Sequence, residues 1–288
     1  MPIILGTGAS EGIPAPFCDC SICTKARENG GKDIRTRSDF LIDSENLIDY
    51  GPDIVSQCMK NRVSLAGLKN IFLTHSHEDH IDIAEMITRI STREPLKHKV
   101  NVYGSEKTLN HISLAFPVYQ SRNYEHESWF YEKYEFIPLE PFKTYDITGL
   151  LVTPILANHY SYAKDELGFN YIITDKFGKT FLYASDTGWY SDETWDYLKN
   201  NNVKLDYLVS ECTFGDQERA DYAGEHLDIK NLILMLERFF KYGNIDYNTP
   251  IYLTHMCHLN TLNHHEMTDF FKEKPWNVII GYDGLVIE

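Results

Sequence analysis

The segment that decides the fold runs from Ile71 to His80 and reads Ile-Phe-Leu-Thr-His-Ser-His-Glu-Asp-His. Three apolar residues leading into Thr74 predict a short buried strand, and the pattern from Asp82 to Ile90 predicts a helix. Four side chains with metal-ligating atoms leave the chain between these two elements: His75, His77, Asp79 and His80. The segment therefore predicts a metal site at the C-terminal end of a strand.

The spacing of these four residues suits two neighbouring metal ions. His75 and His77 share one face of an extended segment, whereas Asp79 and His80 stand where the chain turns into the helix. Imidazole and carboxylate ligands suit zinc, manganese or iron, and two such ions about 3.5 to 4 Å apart can activate a water for hydrolysis. A solvated loop rich in histidine is the alternative, but so dense a group of ligand-type side chains is hard to obtain without a metal.

Similar side chains follow other predicted strands. His159, Asp186 and His255 each come just after a predicted strand, and Asp49 ends a predicted hairpin. Each of these residues alone is usually a turn or surface residue. Their shared position at strand ends favours a common functional site over that interpretation.

A second metal signal lies near the N-terminus. Cys18, Cys20 and Cys23 form a C-x-C-x2-C pattern, and three thiolates need a fourth ligand to close a tetrahedral zinc site. A closed site has no position for water or substrate, so this zinc would be structural. A cluster of ordinary reduced thiols is the alternative interpretation.

The glycine-rich stretch from Gly6 to Gly12 resembles a dinucleotide-binding fingerprint but fails its test. The third glycine of G-x-G-x-x-G would fall on Glu11, and no helix pattern follows. These glycines instead predict a tight hairpin turn.

Length and composition are consistent with one domain over residues 1–288, with 43% apolar side chains. Within it we expect a zinc-binding loop near residues 13–27 and an aromatic-rich insertion near residues 105–145. The insertion is interpreted as a lid or the surface of a homodimer, or equally as helical structure that packs its rings on the core.

Charge and the N-terminal segment restrict the partners. The formal charge of −15 argues against binding of DNA or tRNA through a broad basic surface and favours small substrates. Met1 to Leu5 has neither the basic start of a signal peptide nor the length of a membrane span, so we expect a cytoplasmic protein without a membrane partner.

The run from His75 to His80 resembles the H-x-H-x-D-H signature of the metallo-β-lactamase superfamily. In the diiron-flavoprotein branch a carboxylate replaces the residue matching His77, so the histidine here points to hydrolysis. A narrower resemblance, to the PhnP-type phosphodiesterases that accompany the carbon-phosphorus lyase system, runs from end to end of the chain. Besides the central run, it is carried by Gly6-Thr7-Gly8, the three cysteines, Ser185-Asp186-Thr187, His226-Leu227-Asp228, Leu253 to His258 and Gly281 to Gly284.

The resemblance implies an α/β fold, a four-layer αβ/βα sandwich with two mixed β-sheets flanked by helices. It also implies two active-site ions, manganese or zinc, with nickel and iron as further candidates. One ion would be held by His75, His77 and His159, the other by Asp79, His80 and His255, with Asp186 bridging them and Asp49 orienting the histidines from behind. Cys18, Cys20, Cys23 and His258 would hold the structural zinc.

The implied function is hydrolysis of a small, cyclic phosphodiester, either a ribose cyclic phosphate or a 2′,3′-cyclic nucleotide. A hydroxide shared by the metals would attack phosphorus, and a nearby imidazole would neutralise the non-bridging oxygens. His226 is the candidate for that imidazole and Asp79 is the ligand assigned to catalysis beside it; a structural role for His226 is the alternative.

Two other functions are compatible with parts of the same sequence. A tRNA 3′-end nuclease of the same fold also cleaves phosphodiesters with two metals, but the chain lacks a recognisable basic RNA-binding arm. A non-hydrolytic protein resembling the pyrroloquinoline-quinone biosynthesis branch, with a carrier or redox role, would share the cysteine-based zinc site. That branch has a depleted ligand set in the main site, whereas here the set is intact.

Overall fold

The computed structural model describes residues 1–89, 98–120, 132–161 and 165–288. Fourteen strands, numbered in chain order, form two seven-stranded sheets. Helices span Ser21–Asn29, Ile54–Asn61, Ile83–Thr88, Glu106–Gln120, Asp192–Asn200, Ile229–Tyr242 and His264–Lys272, and a 3-10 turn spans Gly31–Asp33.

The first sheet has the strand order β14-β1-β2-β3-β4-β5-β6. Its strands are β1 (Ile3–Gly6), β2 (Asp39–Asp43), β3 (Asn46–Ile48), β4 (Asn70–Phe72), β5 (Val100–Gly104), β6 (Tyr134–Pro138) and β14 (Leu285–Val286). Pairing is antiparallel from β14 to β3 and parallel from β3 to β6. Parallel neighbours end at the same edge, so β3 and β4 deliver their following residues to one place.

The second sheet has the strand order β13-β12-β11-β10-β9-β8-β7. Its strands are β7 (Tyr145–Ile147), β8 (Leu150–Leu156), β9 (Phe169–Thr174), β10 (Thr180–Ala184), β11 (Tyr207–Glu211), β12 (Ile251–Thr254) and β13 (Val278–Ile280). The strands from β10 to β13 are parallel, and those from β7 to β10 are antiparallel. Each sheet therefore joins a parallel half to an antiparallel half.

The two sheets pack face to face through aromatic side chains. Phe40 of β2 lies 5.3 Å, centroid to centroid, from Tyr183 of β10, and Phe72 of β4 lies 5.8 Å from Tyr171 of β9. On the outer face of the second sheet, Leu236 and Phe239 of the helix Ile229–Tyr242 are buried in a separate apolar cluster. A third cluster joins the outer face of the first sheet to its helices. The layers run helix, sheet, sheet, helix, which confirms the predicted four-layer fold.

The local predictions hold at most strand ends but fail in the glycine-rich stretch. Asp186 and His255 follow strands β10 and β12, as predicted, and Asp228 caps the helix Ile229–Tyr242 by accepting a hydrogen bond from the backbone N–H of Asn231. The tight hairpin predicted from Gly6 to Gly12 is wrong, because the chain makes a long excursion before it returns as β2. Gly6 instead lets two backbone segments lie close together, since a Cβ at this position would clash with the carbonyl oxygen of Arg37.

Residues 105–145 contribute to both sheets. In this part of the chain, β6 is an edge strand of the first sheet, and Tyr145 begins β7, an edge strand of the second. Tyr134 is buried, and its hydroxyl donates to the carbonyl oxygen of Met86 at 2.8 Å. Most of the aromatic side chains behind the lid or dimer prediction lie outside the described residues. Within the described part of the chain, no helix has the length and apolar character needed to cross a membrane.

Candidate metal centre and its cavity

Strand ends from both sheets converge on one site between them. Glu211 ends β11 and pairs in register with Thr254, the last residue of β12, so His255 follows beside it. Asp186 comes two residues after β10, which pairs in parallel with β11. The parallel halves thus bring together residues that lie far apart along the chain.

Three imidazoles form the first group of the site. Nδ1 of His77 lies 2.9 Å from Nε2 of His75 and 3.2 Å from Nε2 of His159. These three side chains can offer one ligand atom each, all within 4.8 Å of one another. This is the set predicted to hold one ion.

A second group lies against the first. Nε2 of His255 lies 3.4 Å from Oδ2 of Asp79, and Nε2 of His80 lies 3.3 Å from the same oxygen. Asp79, His80 and His255 also offer ligand atoms within 4.8 Å of one another, and all three are buried. They are the residues predicted to hold the other ion.

Asp186 lies between the two groups and faces both. Its Oδ1 is 3.9 Å from Nε2 of His159 in the first group. Its Oδ2 is 2.9 Å from Nε2 of His80 and 3.2 Å from Nε2 of His255 in the second. Each carboxylate oxygen therefore faces a different group of ligand-type side chains, as the oxygens of a carboxylate that bridges two ions would.

The donor set fits divalent cations on two grounds. Nε2 of His80 is buried and has no hydrogen-bond partner although carboxylate oxygens surround it, a position that a shared cation would satisfy. Burial raises the pKa of Asp186, but the imidazoles of His255 and His80 outweigh burial and hold that pKa well below its ordinary value. An ionised carboxylate among several imidazole nitrogens is a ligand set for zinc, manganese or iron.

Asp49 supports the site from behind. Its Oδ2 lies 2.7 Å from Nδ1 of His80, and its Oδ1 accepts hydrogen bonds from the backbone N–H and the hydroxyl of Thr74 at 2.8 and 3.0 Å. One buried carboxylate thereby fixes both the ring of His80 and the end of the preceding strand. This contact places the proton of the His80 ring on Nδ1, which faces the carboxylate, and turns Nε2 toward the cluster.

Three residues of the site adopt left-handed backbone conformations. The φ angles of Asp49, Asp186 and His255 are 63°, 48° and 53°. Residues other than glycine seldom adopt this region, at a cost of about 1 to 2 kcal/mol each. Strand ends turned in this way are typical of functional sites, where the surrounding structure holds the strain.

His226 lies beside the cluster in a hydrogen-bonded group of its own. Its Nδ1 is 3.0 Å from Oε1 of Glu211 and 3.9 Å from Oδ1 of Asp186. Burial lowers the pKa of His226, but the two carboxylates outweigh burial and raise it to about 9. The Thr213 hydroxyl donates to Oε2 of Glu211 at 2.5 Å and lies 2.9 Å from Nδ1 of His255. Glu211 and Thr213 thus join His226 to a predicted metal ligand.

Sequence reasoning missed Glu211, Thr213 and Glu166. Glu166 accepts hydrogen bonds from the backbone N–H and hydroxyl of Ser76 at 2.9 and 2.7 Å, and from the hydroxyl of Thr108 at 2.9 Å. It therefore fixes the residue between His75 and His77. The strand-end position of Glu211 could have identified it, whereas no local pattern marks Glu166.

The cluster opens into a cavity of about 300 Å³. Its walls combine ligand-type side chains, the aromatic residues Tyr160 and Phe214, and residues from the N-terminal loop. The lining residues include Ser10, Glu11, His77, Asp79, His159, Asp186, His226, His255 and Leu259. A cavity of this size is at the lower end of the range for small-molecule sites.

The thiols of Cys18, Cys20 and Cys23 come together with His258 in a separate group. Their ligand atoms lie within 4.8 Å of one another, and Nδ1 of His258 is 3.4 Å from Sγ of Cys23 and 3.7 Å from Sγ of Cys20. No disulfide joins these thiols, and the backbone N–H of Ala15 points at the Cys23 sulfur at 3.3 Å. Three thiols and one imidazole form a donor set for a closed, structural zinc.

One known protein family matches the part of the chain that carries the metal cluster. The family described as "Beta-lactamase superfamily domain" matches residues 46–268, which include both groups of the metal cluster, His226 and His258. The three cysteines lie before the matched segment.

Curated relatives match parts of the chain. An octanoyltransferase of Porphyromonas gingivalis is 32% identical over 38% of this chain and 21% of its own length. A ribonuclease Z of Thermoplasma volcanium is 31% identical over 40% of this chain and 35% of its own. The chain thus spans about a fifth to a third of these two relatives. The coenzyme PQQ synthesis protein B of Nitrosococcus oceani is 24% identical over 77% of this chain and 76% of its own.

Solved structures share the fold over the whole chain. A diphosphatase described as belonging to the PhnP family superposes with a TM-score of 0.72 and 21% identity, covering 100% of this chain and 96% of its own. The zinc-bound PqqB of Methylobacterium extorquens has a TM-score of 0.72 and 19% identity, with both chains covered completely. At these identities the similarity establishes the fold alone.

Proposed function

This chain belongs to the β-lactamase superfamily, and we propose that it is a metal-dependent phosphodiesterase that hydrolyses small, cyclic phosphodiesters. The observation that carries the proposal is Asp186, whose two carboxylate oxygens face two separate ligand groups. Such an arrangement suits a pair of divalent ions, and paired ions suit the transfer of a phosphoryl group to water.

The ligand sets are those predicted from the sequence. His75, His77 and His159 would hold one ion, Asp79, His80 and His255 the other, and Asp186 would bridge them. The bound ions would supply Lewis acidity and a nucleophile of lowered pKa. The chain's own contribution is to hold the ligands in place, and Asp49 and Glu166 do this by hydrogen bonds to His80 and Ser76.

His226 would act on the substrate rather than on the metal. Its Nδ1 faces Glu211, so the proton on Nε2 is the one available to a phosphoryl oxygen in the cavity that His226 lines. A protonated imidazole at that position would stabilise negative charge as it develops on phosphorus. Glu211 would be a positioning residue, since it holds the ring and keeps it charged.

Size and charge favour a small substrate. The cavity of about 300 Å³ accommodates a mononucleotide or a sugar phosphate more readily than a folded polynucleotide. The formal charge of −15 opposes the broad attraction to phosphates on which RNA binding depends. The partial similarity to ribonuclease Z makes a tRNA 3′-end nuclease the second candidate.

A hydrolysis panel tests the proposal. Protein loaded with manganese or zinc is assayed against bis(4-nitrophenyl) phosphate, adenosine 2′,3′-cyclic phosphate, a precursor tRNA, a thioester and a β-lactam, with metal content measured on the same sample. We expect turnover of the two small diesters and about two active-site ions per chain.

The matched control for this panel is Asp186→Asn, which keeps the side-chain size but weakens the bridge. It should lose both metal and turnover. Cleavage of tRNA without cleavage of the small diesters would favour the nuclease. One zinc per chain, an empty main site and no hydrolysis of any substrate would favour a carrier role like that considered for the pyrroloquinoline-quinone branch.

A further inference from the structure

Glu11 lies between the cysteine site and the metal-centre cavity. Its Oε1 is 3.3 Å from Nε2 of His258, while the same side chain lines the cavity together with Asp79 and His226. About 30% of the Glu11 side chain is exposed, so it is accessible to a ligand without being loose in solvent. In the sequence, Glu11 stands where the third glycine of a dinucleotide-binding fingerprint would be, and no other pattern marks it.

The cysteine site holds Glu11 in place. Nδ1 of His258 faces the thiols of Cys23 and Cys20, which leaves Nε2 directed at the Glu11 carboxylate. A carboxylate behind a metal-ligating imidazole commonly fixes the orientation of both groups. The other oxygen of Glu11, Oε2, accepts a hydrogen bond from the hydroxyl of Ser10 at 3.1 Å.

The chemistry of a carboxylate restricts what Glu11 can contact in the cavity. An ionised carboxylate only accepts hydrogen bonds, and it repels the non-bridging oxygens of a phosphodiester. It therefore disfavours phosphate on its own side of the cavity and favours a group with O–H donors. Of the uncharged walls, Tyr160, Phe214 and Leu259 offer mainly apolar surface.

We propose that Glu11 is a specificity-determining residue that accepts a hydrogen bond from a hydroxyl group on the sugar of the phosphodiester substrate. This inference rests on the proposed phosphodiesterase function. The phosphoryl group would lie at the His and Asp cluster, and the sugar hydroxyl would point toward the loop that also carries the cysteines. The structural zinc would then contribute to selectivity, because it fixes His258 and through it the carboxylate.

A pair of substrates that differ by one hydroxyl tests the proposal. Adenosine 2′,3′-cyclic phosphate and its 5′-deoxy analogue have the same reacting group, and bis(4-nitrophenyl) phosphate has no hydroxyl. A hydrogen bond to a charged group is worth about tenfold or more in affinity, so we expect the wild-type kcat/KM to favour the hydroxylated nucleotide by about tenfold. Glu11→Ala should reduce this ratio to about one, chiefly through KM, and Glu11→Gln should give an intermediate ratio.

Measuring the zinc content of each Glu11 variant distinguishes a loss of substrate selectivity from a loss of zinc. Both Glu11 variants should retain the zinc of the cysteine site, and their kcat/KM for bis(4-nitrophenyl) phosphate should change less than their kcat/KM for the hydroxylated nucleotide. Glu28→Gln, an exposed carboxylate on the helix Ser21–Asn29, is the matched control and should leave the substrate ratio unchanged.

Three outcomes would overturn the proposal. If the ratio of kcat/KM for the nucleotide to that for its 5′-deoxy analogue is unchanged in Glu11→Ala, Glu11 does not contact the hydroxyl. Equal loss of activity toward all three substrates, in step with loss of zinc, would reduce Glu11 to a support of the cysteine site. Failure of wild-type, metal-loaded protein to hydrolyse any of the three diesters would refute the phosphodiesterase function itself, and the role of Glu11 with it.

Discussion

The carboxylate of Asp49 lies 2.7 Å from Nδ1 of His80, and the opposite nitrogen of the same ring faces Asp186 at 2.9 Å. One carboxylate thus fixes the tautomer of a ring that a second carboxylate and a metal would share. Because Asp49 also accepts hydrogen bonds from Thr74, the contact joins the end of β4 to the centre of the site.

The first prediction concerns this contact. Asp49→Asn presents an N–H donor to one of its partners, which disfavours the tautomer of His80 that would bind a metal through Nε2. We expect active-site metal affinity to fall by about 10- to 100-fold, as measured by calorimetric titration of metal-free protein. Asp269→Asn, on the exposed side of the helix His264–Lys272, should bind metal as the wild type does. Unchanged affinity in Asp49→Asn would contradict the orienting role.

The second prediction concerns metal removal. The cluster gathers two buried carboxylates and several imidazoles, so ions that bind only the folded state should stabilise it by about 4 kcal/mol at a thousandfold excess over Kd. We expect chelation to lower Tm by about 5 °C or more and added manganese or zinc to restore it, as followed by calorimetry. In Asp186→Ala the shift should be much smaller, and an equal shift in both proteins would locate the effect elsewhere.

The third prediction separates catalysis from metal binding at His226. His159, Asp186 and His226 could also hold an ion together, so the geometry alone allows two roles for this ring. We expect His226→Ala to keep both active-site metals and to lower kcat by about 100-fold or more, as measured by metal analysis and steady-state kinetics. His265→Ala, on an exposed ring, is the control. Loss of one metal in step with turnover would make His226 a ligand.

The fourth prediction concerns the cysteine site as a brace for His255. The backbone N–H of Met256 donates to the carbonyl oxygen of Thr7 at 2.9 Å, and the N–H of Cys257 donates to that of Thr213 at 3.0 Å. His258 follows directly, so a zinc on its ring would hold the segment that carries His255. If the cysteine site holds zinc, Cys20→Ser should lose that zinc, as measured by metal analysis, and should bind active-site metal more weakly, as measured by calorimetric titration. Unchanged zinc and unchanged affinity would exclude the brace.

The fifth prediction is a pH dependence of stability at His264. Burial, together with the charges of Arg35 and Lys32, lowers the pKa of His264 to about 4, and Nη2 of Arg35 lies 3.4 Å from its Nδ1. The folded state therefore excludes a proton that the unfolded chain accepts below about pH 6.5. This contribution is complete above pH 6.5 and is lost as the pH falls toward 4.

Because the His264 ring is only half-buried, we expect the effect to be about 1 kcal/mol after solvent screening. The free energy of unfolding of His264→Gln should fall less between pH 7 and pH 5 than that of the wild type, as measured by urea denaturation at both pH values. His265→Gln, a neighbouring exposed ring that contacts Asp269, is the control. If the free energy of unfolding falls equally between pH 7 and pH 5 in the wild type and in His264→Gln, His264 is not the source of the pH dependence.

Much of the fold could be predicted because its signals are local. Apolar runs bounded by polar residues mark β4, β10 and β12, and each is followed by a ligand-type side chain. The family resemblance then implied two mixed sheets flanked by helices, without assigning the strands to one sheet or the other. The glycine stretch misled the prediction because close approach to Arg37, rather than a tight turn, is what requires Gly6.

The supporting residues could not be predicted in the same way. Glu166 reaches Ser76 across 90 positions of the chain, and Thr213 reaches His255 across 42. Neither contact leaves a periodic or spaced pattern, because the partners meet only after both sheets have packed. The left-handed conformations of Asp186 and His255 likewise depend on packing around the strand ends.

Hydrophobic runs and ligand-type side chains are encoded over a few neighbouring residues, so the amino-acid pattern indicates which side chains can ligate metal and at which strand ends they stand. Three relationships could be seen only in the folded chain: the two oxygens of Asp186 face different groups, Glu211 holds His226, and Glu11 joins the cysteine site to the cavity. These relationships depend on strand register and sheet packing, which are set by contacts between distant segments.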